Sequence, residues 1–495
     1  MAILNAHVVN ASLADIRGAI GAGVDEGAWI TTAYLVAEIV AIPLTGWLAA
    51  AFSARGYLLG SATLFLAFSA ACAFTTNLDQ MIVLRSLQGL AGGALMPMTL
   101  VLIVRLLPGE KVTVGMALFS VAVTLAPSIG PTVGGFLTIS VGWQAVFLLN
   151  LVPGVVMLCS LWFSLEREPL QLGLLRRGDW AGIATVMLGL GTLQTVLEEG
   201  EKNDWLDSPF ISRLSAIAAV SLALFVWIEL RASQPLVNLR LLGRRNLLGA
   251  ALATFLMGAA SYGMVFILPL YLSEVQGYNA AQIGAVMAWT GLAELLMIPL
   301  LPPLMRRVDG RWLIAFGLCL FATGNFMNIT ISTDVGADQL LLPNVVRAIG
   351  QALAWTPLTA LAVAGIEPKN TGSASALINV FCSLGGAVGI AVFQTFLVRR
   401  EHFHSSIIGQ SVSPFDDATR RHLDQLVHYF LAHGVTDPAT AWHKAVVAIA
   451  DRVRLQAQTM AFGDVFFLLG GVLAVTILAI LLLKKPRTPL ISDLH

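Results

Sequence analysis

Ala126-Pro127-Ser128-Ile129-Gly130-Pro131-Thr132-Val133-Gly134-Gly135 places two prolines and three glycines in one uncharged run. In a water-soluble protein such a run would break a helix, because proline removes a backbone donor and its ring clashes with the preceding turn. Here the uncharged sequence continues on both sides, from Thr113 to Ile139. About 20 mostly apolar residues cross a bilayer as a helix. Glycine and proline are tolerated inside such helices because neighbouring helices and local adjustments re-satisfy the backbone. The run therefore reads as one bent, closely packed membrane helix.

The rest of the chain agrees. Of its 495 residues, 57% are apolar and only 12% are charged, and the mean hydropathy is +0.79. Ordinary soluble domains carry about twice that charge. A soluble enzyme, a disordered chain and an outer-membrane barrel are all excluded, the last because its short alternating strands never give long unbroken apolar runs. Twelve further runs can be read, at Trp29–Phe52, Tyr57–Thr75, Leu78–Leu106, Trp143–Leu165, Trp180–Leu197, Phe210–Leu230, Asn246–Leu272, Ala280–Met305, Trp312–Ile331, Gln339–Gly365, Gly372–Val398 and Ala461–Leu483. Met1–Ala14 is apolar but too short to cross, and reads as the outer part of a first helix whose beginning is missing. The expectation is an all-α polytopic membrane protein of fourteen helices.

Lysine and arginine in short loops set orientation. Arg55, Arg105, Lys111, Arg167, Arg176, Arg177, Arg231, Arg240, Arg244, Arg245, Arg306, Arg307, Arg311, Lys369, Lys484, Lys485 and Arg487 fall on one side, against Arg17, Lys202 and Arg213 in the short loops of the other. The first side is expected to be cytoplasmic, with both termini there. Residues 399–460 form a long polar loop on the opposite side, holding an amphipathic helix over Asp416–Gly434 with Leu426 and Phe430 on its apolar face. His402 and His404 in this loop are expected on a solvated surface. Formal net charge is zero, which gives no reason to expect a nucleic-acid partner. The four cysteines are far apart and show no metal spacing. No HExxH or GxSxG motif is present, so no enzyme and no metal site is expected.

The chain also repeats itself. Leu84-Arg85-Ser-Leu-Gln88-Gly89 opens one helix, and Val346-Arg347-Ala-Ile-Gly350-Gln351, with its arginine 262 residues later, opens another. Two related six-helix halves with a site between them near the midplane are a common transporter plan. Residues 1–165 and 246–483 would be the halves, 166–245 two inserted helices with linkers, and 484–495 a cytoplasmic tail. The proline–glycine run (Pro127, Gly130, Pro131, Gly134, Gly135) would be a hinge or seal between the halves, with Gly385, Gly386 and Gly389 on the equivalent helix.

These motifs resemble those of the major facilitator superfamily. Arg85-Ser-Leu-Gln88-Gly89 through Pro97 and the run from Ala126 to Gly135 are similar to its arginine motif and to the antiporter motif of its fifth helix. Leu4-Asn5-Ala-His7-Val-Val-Asn10 resembles the first-helix motif Leu-Asp-x-Thr-Ile-Val-Asn-Val. Fourteen helices with a long loop before the last resemble the drug:proton antiporters of the EmrB/QacA type. The resemblance implies an exporter of amphipathic small molecules in a bacterial inner membrane. It would be driven by the proton gradient without a cofactor, and would work with a periplasmic adaptor and an outer-membrane channel. An exporter or carrier of one specific metabolite is the alternative within transport, and a membrane-embedded sensor or enzyme is the alternative from another class. Two departures stand out. The family's first-helix aspartate is Asn5 here. The loop motif Gly-x-Leu-Ala-Asp-Arg-x-Gly has lost its aspartate in Gly46–Gly56, whereas the second half keeps Asp309-Gly310-Arg311, expected to be a gating loop.

Charged groups inside a span cost about 2.5–3.5 kcal/mol even on the lenient scale, so each is a functional candidate. Glu38, Arg85, Glu294 and Arg347 are those residues. From the run boundaries Glu38 lies about 14 Å, Arg85 about 10 Å and Asn5 about 15 Å below the outer helix ends, and Glu294 about 22 Å. Glu38, Arg85 and Glu294 are the expected proton-coupling set. For Glu38 the alternative is a fixed buried ion pair with Arg85. Arg347 reads either as a cavity residue or as a structural echo of the repeat. Glu229 and Asp464 are expected to be solvated or interfacial. A large apolar cavity would be lined by Asn5, Tyr34, Met96, Trp289, Arg347, Trp355 and Phe381.

Overall fold

The structure is a computed structural model that describes residues 1–481 except 177, 233, 234, 298, 364, 365, 367–370 and 414. The tail 484–495 lies outside the described residues, as do Arg177 and Lys369 of the basic loops. Among the described residues the chain is helical with no strand.

The first half comprises α1 (Ala2–Ala11), α2 (Leu13–Ile20), α3 (Val24–Phe52), α4 (Ala54–Cys72), α5 (Leu78–Gly92), α6 (Leu95–Leu106), α7 (Gly109–Ser140), α8 (Gln144–Leu148) and α9 (Leu151–Ser164). A short α10 (Gly173–Arg176) precedes the inserted pair α11 (Trp180–Glu199) and α12 (Pro209–Arg231). The second half comprises α13 (Arg245–Glu274), α14 (Ala280–Met297), α15 (Leu301–Arg307), α16 (Gly310–Phe326), α17 (Ala337–Val363), α18 (Thr371–Ser411), α19 (Asp417–Ala432) and α20 (Pro438–Leu481). Each predicted run is helical over most of its described residues, with breaks at 73–75, 93–94, 149–150, 299–300 and 327–331. Nine segments among the described residues are long and apolar enough to cross a membrane, and the bent pair α14–α15 makes ten. The remaining three runs are filled by α7, α16 and α17.

The repeat is visible in the packing. Helix α7 lies on α1 and α18 lies on α13, while α4 pairs with α5 and α16 with α17. Glycines permit these close approaches. A Cβ on Gly130 would stand 2.6 Å from the His7 Cβ, and one on Gly134 would stand 2.6 Å from the Val8 carbonyl oxygen. Ser12 strengthens the seam by donating to the Gly134 carbonyl at 3.3 Å. These two glycines thus pack α7 onto its own half rather than sealing one half against the other. Gly135 is buried. The Pro127 side chain lies outside the described set. Contact with the second half comes instead from Thr132, which fills the space beside Gly284 on α14.

On the arginine-rich side the halves meet where the Ser375 hydroxyl on α18 donates to the Pro97 carbonyl of α6 at 3.2 Å. The inserted pair straddles both halves near the opposite side. Thr32 of α3 donates to the Glu199 carboxylate at 3.0 Å. The Trp205 indole donates to Thr395 of α18 at 3.1 Å, and Gln394 donates to Glu201 at 3.0 Å.

Two expectations about polar residues change. Glu229 is fully buried and accepts from the backbone N–H groups of Leu236 and Val237, so it caps the connector rather than meeting solvent. His404 is also buried. Its Nε2 lies 2.7 Å from the Asp464 carboxylate, which also accepts from Arg400 at 2.6 Å. This cluster ties α18 to α20 where both run past the bundle. The amphipathic helix α19 lays its apolar face on α20, leaving Leu426 and Phe430 half-buried. Its N-terminus is capped by Asp416, which accepts from the Thr419 N–H at 2.9 Å. Those hydrogen bonds hold the Asp416 carboxyl below its usual range.

Candidate functional site

The arginine of the first repeat motif is fully buried on α5. It reaches the middle of the half because α5 lies almost in backbone contact with α3. A Cβ on Gly89 would collide with the Tyr34 carbonyl, and one on Gly93 with the Glu38 carbonyl. These glycines, four apart, let the two helix backbones touch. The Arg85 guanidinium stacks over the Tyr34 ring at 4.2 Å. Its Nε donates to the Ile30 carbonyl at 3.2 Å. Its Nη1 donates to Asn5 Oδ1 and to Gln88 Oε1, both at 2.7 Å. Nη2 is buried without a hydrogen-bond partner.

Glu38 is close enough to feel the Arg85 charge, but the two form no ion pair within 4.0 Å. The fixed-pair alternative is thus not what the fold builds. Helix α3 begins at Val24 rather than Trp29, so Glu38 lies midway along it, deeper than the run boundary suggested. A carboxylate near the midplane, beside but not bonded to a permanent cation, has two electrostatic environments within reach of small helix movements.

The second arginine does not merely echo the first. Arg347 on α17 donates from Nη2 to Thr290 at 2.9 Å and to Asn344 at 3.5 Å. Glu294 stands one turn beyond Thr290 on α14, 1% exposed, and its charge acts on Arg347. Both line a cavity. Ser261, Tyr262 and Val265 of α13 line it as well, with Met287 and Thr290 of α14 and Gln351 and Trp355 of α17. The first half closes it with His7 of α1 and Val123 of α7. The cavity lies between the halves and joins an apolar wall to a few buried polar groups, the usual make-up of a small-molecule site.

Of the residues expected in the cavity, Arg347 and Trp355 line it, and the proton candidate Glu294 joins them. Trp289 is 47% exposed and faces outward, because residues 289 and 290 differ by a hundred degrees on a helix and Thr290 takes the inner face. Phe381 packs against the core of the second half. Met96 packs with Leu100, Met116 and Phe119 between α6 and α7. Asn5 and Tyr34 belong to the Arg85 cluster. Asp309 caps α16 by accepting from the Arg311 N–H at 3.1 Å, and also pairs with the Arg311 side chain at 3.2 Å. In the first half Ser53 takes over the cap, accepting from the Gly56 N–H at 3.1 Å, and Arg55 donates to the Leu165 carbonyl at 3.0 Å. Sequence reasoning overlooked His7, Thr290 and Tyr262 in the cavity. For His7 the signal was available, the one ionisable side chain in α1. For the others it was not, since threonine and tyrosine are common in such helices.

Residues 1–390 match the Major Facilitator Superfamily profile. The chain is 30% identical over 476 residues to the colistin resistance protein EmrB of Acinetobacter baumannii, covering 96% of this chain and 92% of that one. It is 28% identical over 489 residues to the multidrug export protein EmrB of Escherichia coli, covering 98% and 93%. Among solved structures it is similar to the proton:xylose symporter XylE, with a TM-score of 0.59 at 14% identity over 96% of this chain and 92% of that one. With the paired arginine motifs, the glycine-packed α1–α7 and α13–α18 seams and a cavity between two halves, this chain belongs to the Major Facilitator Superfamily.

Proposed function

We propose that the protein is a multidrug exporter that expels amphipathic small molecules from the cytoplasm in exchange for protons. The observation that carries this reading is the separation of two buried sites. Glu38 stands beside Arg85 inside the first half, and the Glu294–Arg347 pair lines a cavity between the halves. Proton movement at Glu38 can then reset the first half while the cavity holds its cargo. The EmrB relatives named for multidrug export and colistin resistance support the substrate class. The excess of arginine and lysine in the short loops of one side supports, by the positive-inside rule, a cytoplasmic position for that side with residues 399–460 outside, and the EmrB relatives support an inner-membrane location. The test is dye efflux from energised cells with and without a protonophore. Efflux that ignores the protonophore removes proton coupling from the proposal.

The outer ends of α18 and α20, with α19 laid on α20, form the dock for a periplasmic adaptor leading to an outer-membrane channel. Replacing Leu426 and Phe430 by Ser tests this. Resistance in cells should fall while transport in reconstituted vesicles persists. If both fall together, α19 serves only the transporter's own fold.

A further inference from the structure

The inserted pair α11–α12 is the part of the fold to which neither buried site gives a task. Helix α11 packs along α3 of the first half, where a Cβ on Gly191 would meet Val36 and Val40 at ordinary contact distances of 3.7 and 3.6 Å. On the side opposite the arginine-rich loops the connector of the pair makes two 3-10 turns, Glu201–Asn203 and Trp205–Asp207. There it takes hold of both halves. Glu199 accepts from Thr32 on α3 at 3.0 Å and from Lys202 at 3.5 Å. Glu201 accepts from Gln394 on α18 at 3.0 Å, and the Trp205 indole donates to the Thr395 hydroxyl at 3.1 Å.

The connector is strained where it reaches the second half. Asp204 (φ 53°) and Trp205 (φ 52°) are two of the three non-glycine residues with positive φ among the described residues. Left-handed backbone is costly for a residue with a Cβ, which crowds the following carbonyl oxygen, and a bulky residue there is an outlier. Such a conformation persists only where its surroundings hold it, and residues of this kind cluster at clamps and switches. Two side-chain contacts hold Trp205. Its ring lies against Gly200, where a Cβ would come within 2.7 Å of it, and its indole is bonded to Thr395. Only the second contact belongs to the other half, so it is lost when the halves part on this side.

We propose that the inserted pair is the latch of the outer side. With that side closed, Glu199 holds α3 while Glu201 and Trp205 hold α18. When it opens, the connector stays on α3 and releases α18, and Asp204 and Trp205 relax out of the left-handed region. The bonds that close the latch are thus opposed by the backbone that carries them, which lets it part readily. The latch requires only that the halves separate on this side during transport. It depends neither on what is carried nor on proton coupling, so it can fail while the proposed function stands.

The test reads the separation of the halves in the purified full-length protein. Cys159 and Cys319, both exposed, are replaced by serine. Spin labels are attached through Thr76→Cys, in the α4–α5 turn, and Asp338→Cys, in the first turn of α17, both exposed. Distances between them are measured by double electron–electron resonance. Trp205→Phe and Thr395→Val remove the same hydrogen bond. Each should raise the ratio of long to short distances about fivefold, the change that one such bond supports, and the double variant should go no further than either single one. Gln394→Leu should act in the same direction. Asp204→Gly relieves strain in the closed latch and should lower the ratio. Thr192→Val removes a hydroxyl that bonds only within α11 and should leave the ratio at the parent's value. Size-exclusion elution checks that every variant is folded. A parental ratio in both Trp205→Phe and Thr395→Val would overturn the proposal. So would a rise in Asp204→Gly, or a shift in Thr192→Val as large as that in Trp205→Phe.

Discussion

The Arg85 guanidinium donates a 2.7 Å hydrogen bond to the side-chain oxygen of Asn5 on another helix, and makes no ion pair with Glu38. The first helix therefore grips the buried cation with a neutral group. An aspartate at residue 5 would neutralise Arg85 permanently, whereas asparagine leaves the positive charge to act on Glu38. The cluster is held together by hydrogen bonds and stacking, with the Glu38 carboxyl beside it.

Asn5→Ala should destabilise the first half. Removing one partner of a buried hydrogen bond to a charged group costs about 1.5–3 kcal/mol. Thermal unfolding in detergent should show a lowered Tm, with Asn5→Asp at or above the parent. Equal Tm values for parent and Asn5→Ala would mean that Gln88 alone suffices to hold Arg85.

Arg85→Lys keeps a charge but loses the planar fork that reaches Ile30, Asn5 and Gln88 together. Transport in vesicles should drop strongly in Arg85→Lys and vanish in Arg85→Ala. Full activity in Arg85→Ala would leave the arginine a packing residue.

Glu38→Gln should abolish uphill, pH-driven efflux. Energy-independent exchange of labelled for unlabelled substrate should persist, because the cavity itself is untouched. Uphill efflux at the parent's rate would remove Glu38 from the coupling.

Gly134→Leu forces a side chain into the Val8 carbonyl 2.6 Å from the Cβ position. Overpacking of this kind costs about 1–3 kcal/mol. The expected outcome is a lower Tm and slowed transport from a displaced α1. A solvent-facing control, Gly243→Leu, should change neither, since a Cβ there meets nothing within 4 Å. If the two variants behave alike, the α1–α7 seam is not as tight as it stands here.

The membrane helices were legible in the sequence because the bilayer imposes one rule on every span. Uncharged runs must be helical when no water is present to satisfy the backbone, and each predicted run is helical over most of its described residues. The repeat and its paired arginines were legible for a related reason. Arg85 and Arg347 are so costly to bury that their presence in apolar runs marks them at once. Sequence also marked Glu38 and Glu294, but as isolated acids. Only the tertiary structure decided what each one faces. Asn5 rather than Glu38 holds Arg85. Trp289 turns outward while its neighbour Thr290 binds Arg347. Gly130 and Gly134 press α7 onto α1 rather than onto the other half, and His7 thereby joins a cavity built mostly by helices more than two hundred residues away. Periodicity in one helix fixes which residues share a face, but the partner of that face depends on how separate helices cross. In this protein the crossings are set by glycine contacts whose partners lie far off in the chain, so the sequence names the charges and the folded bundle assigns their company.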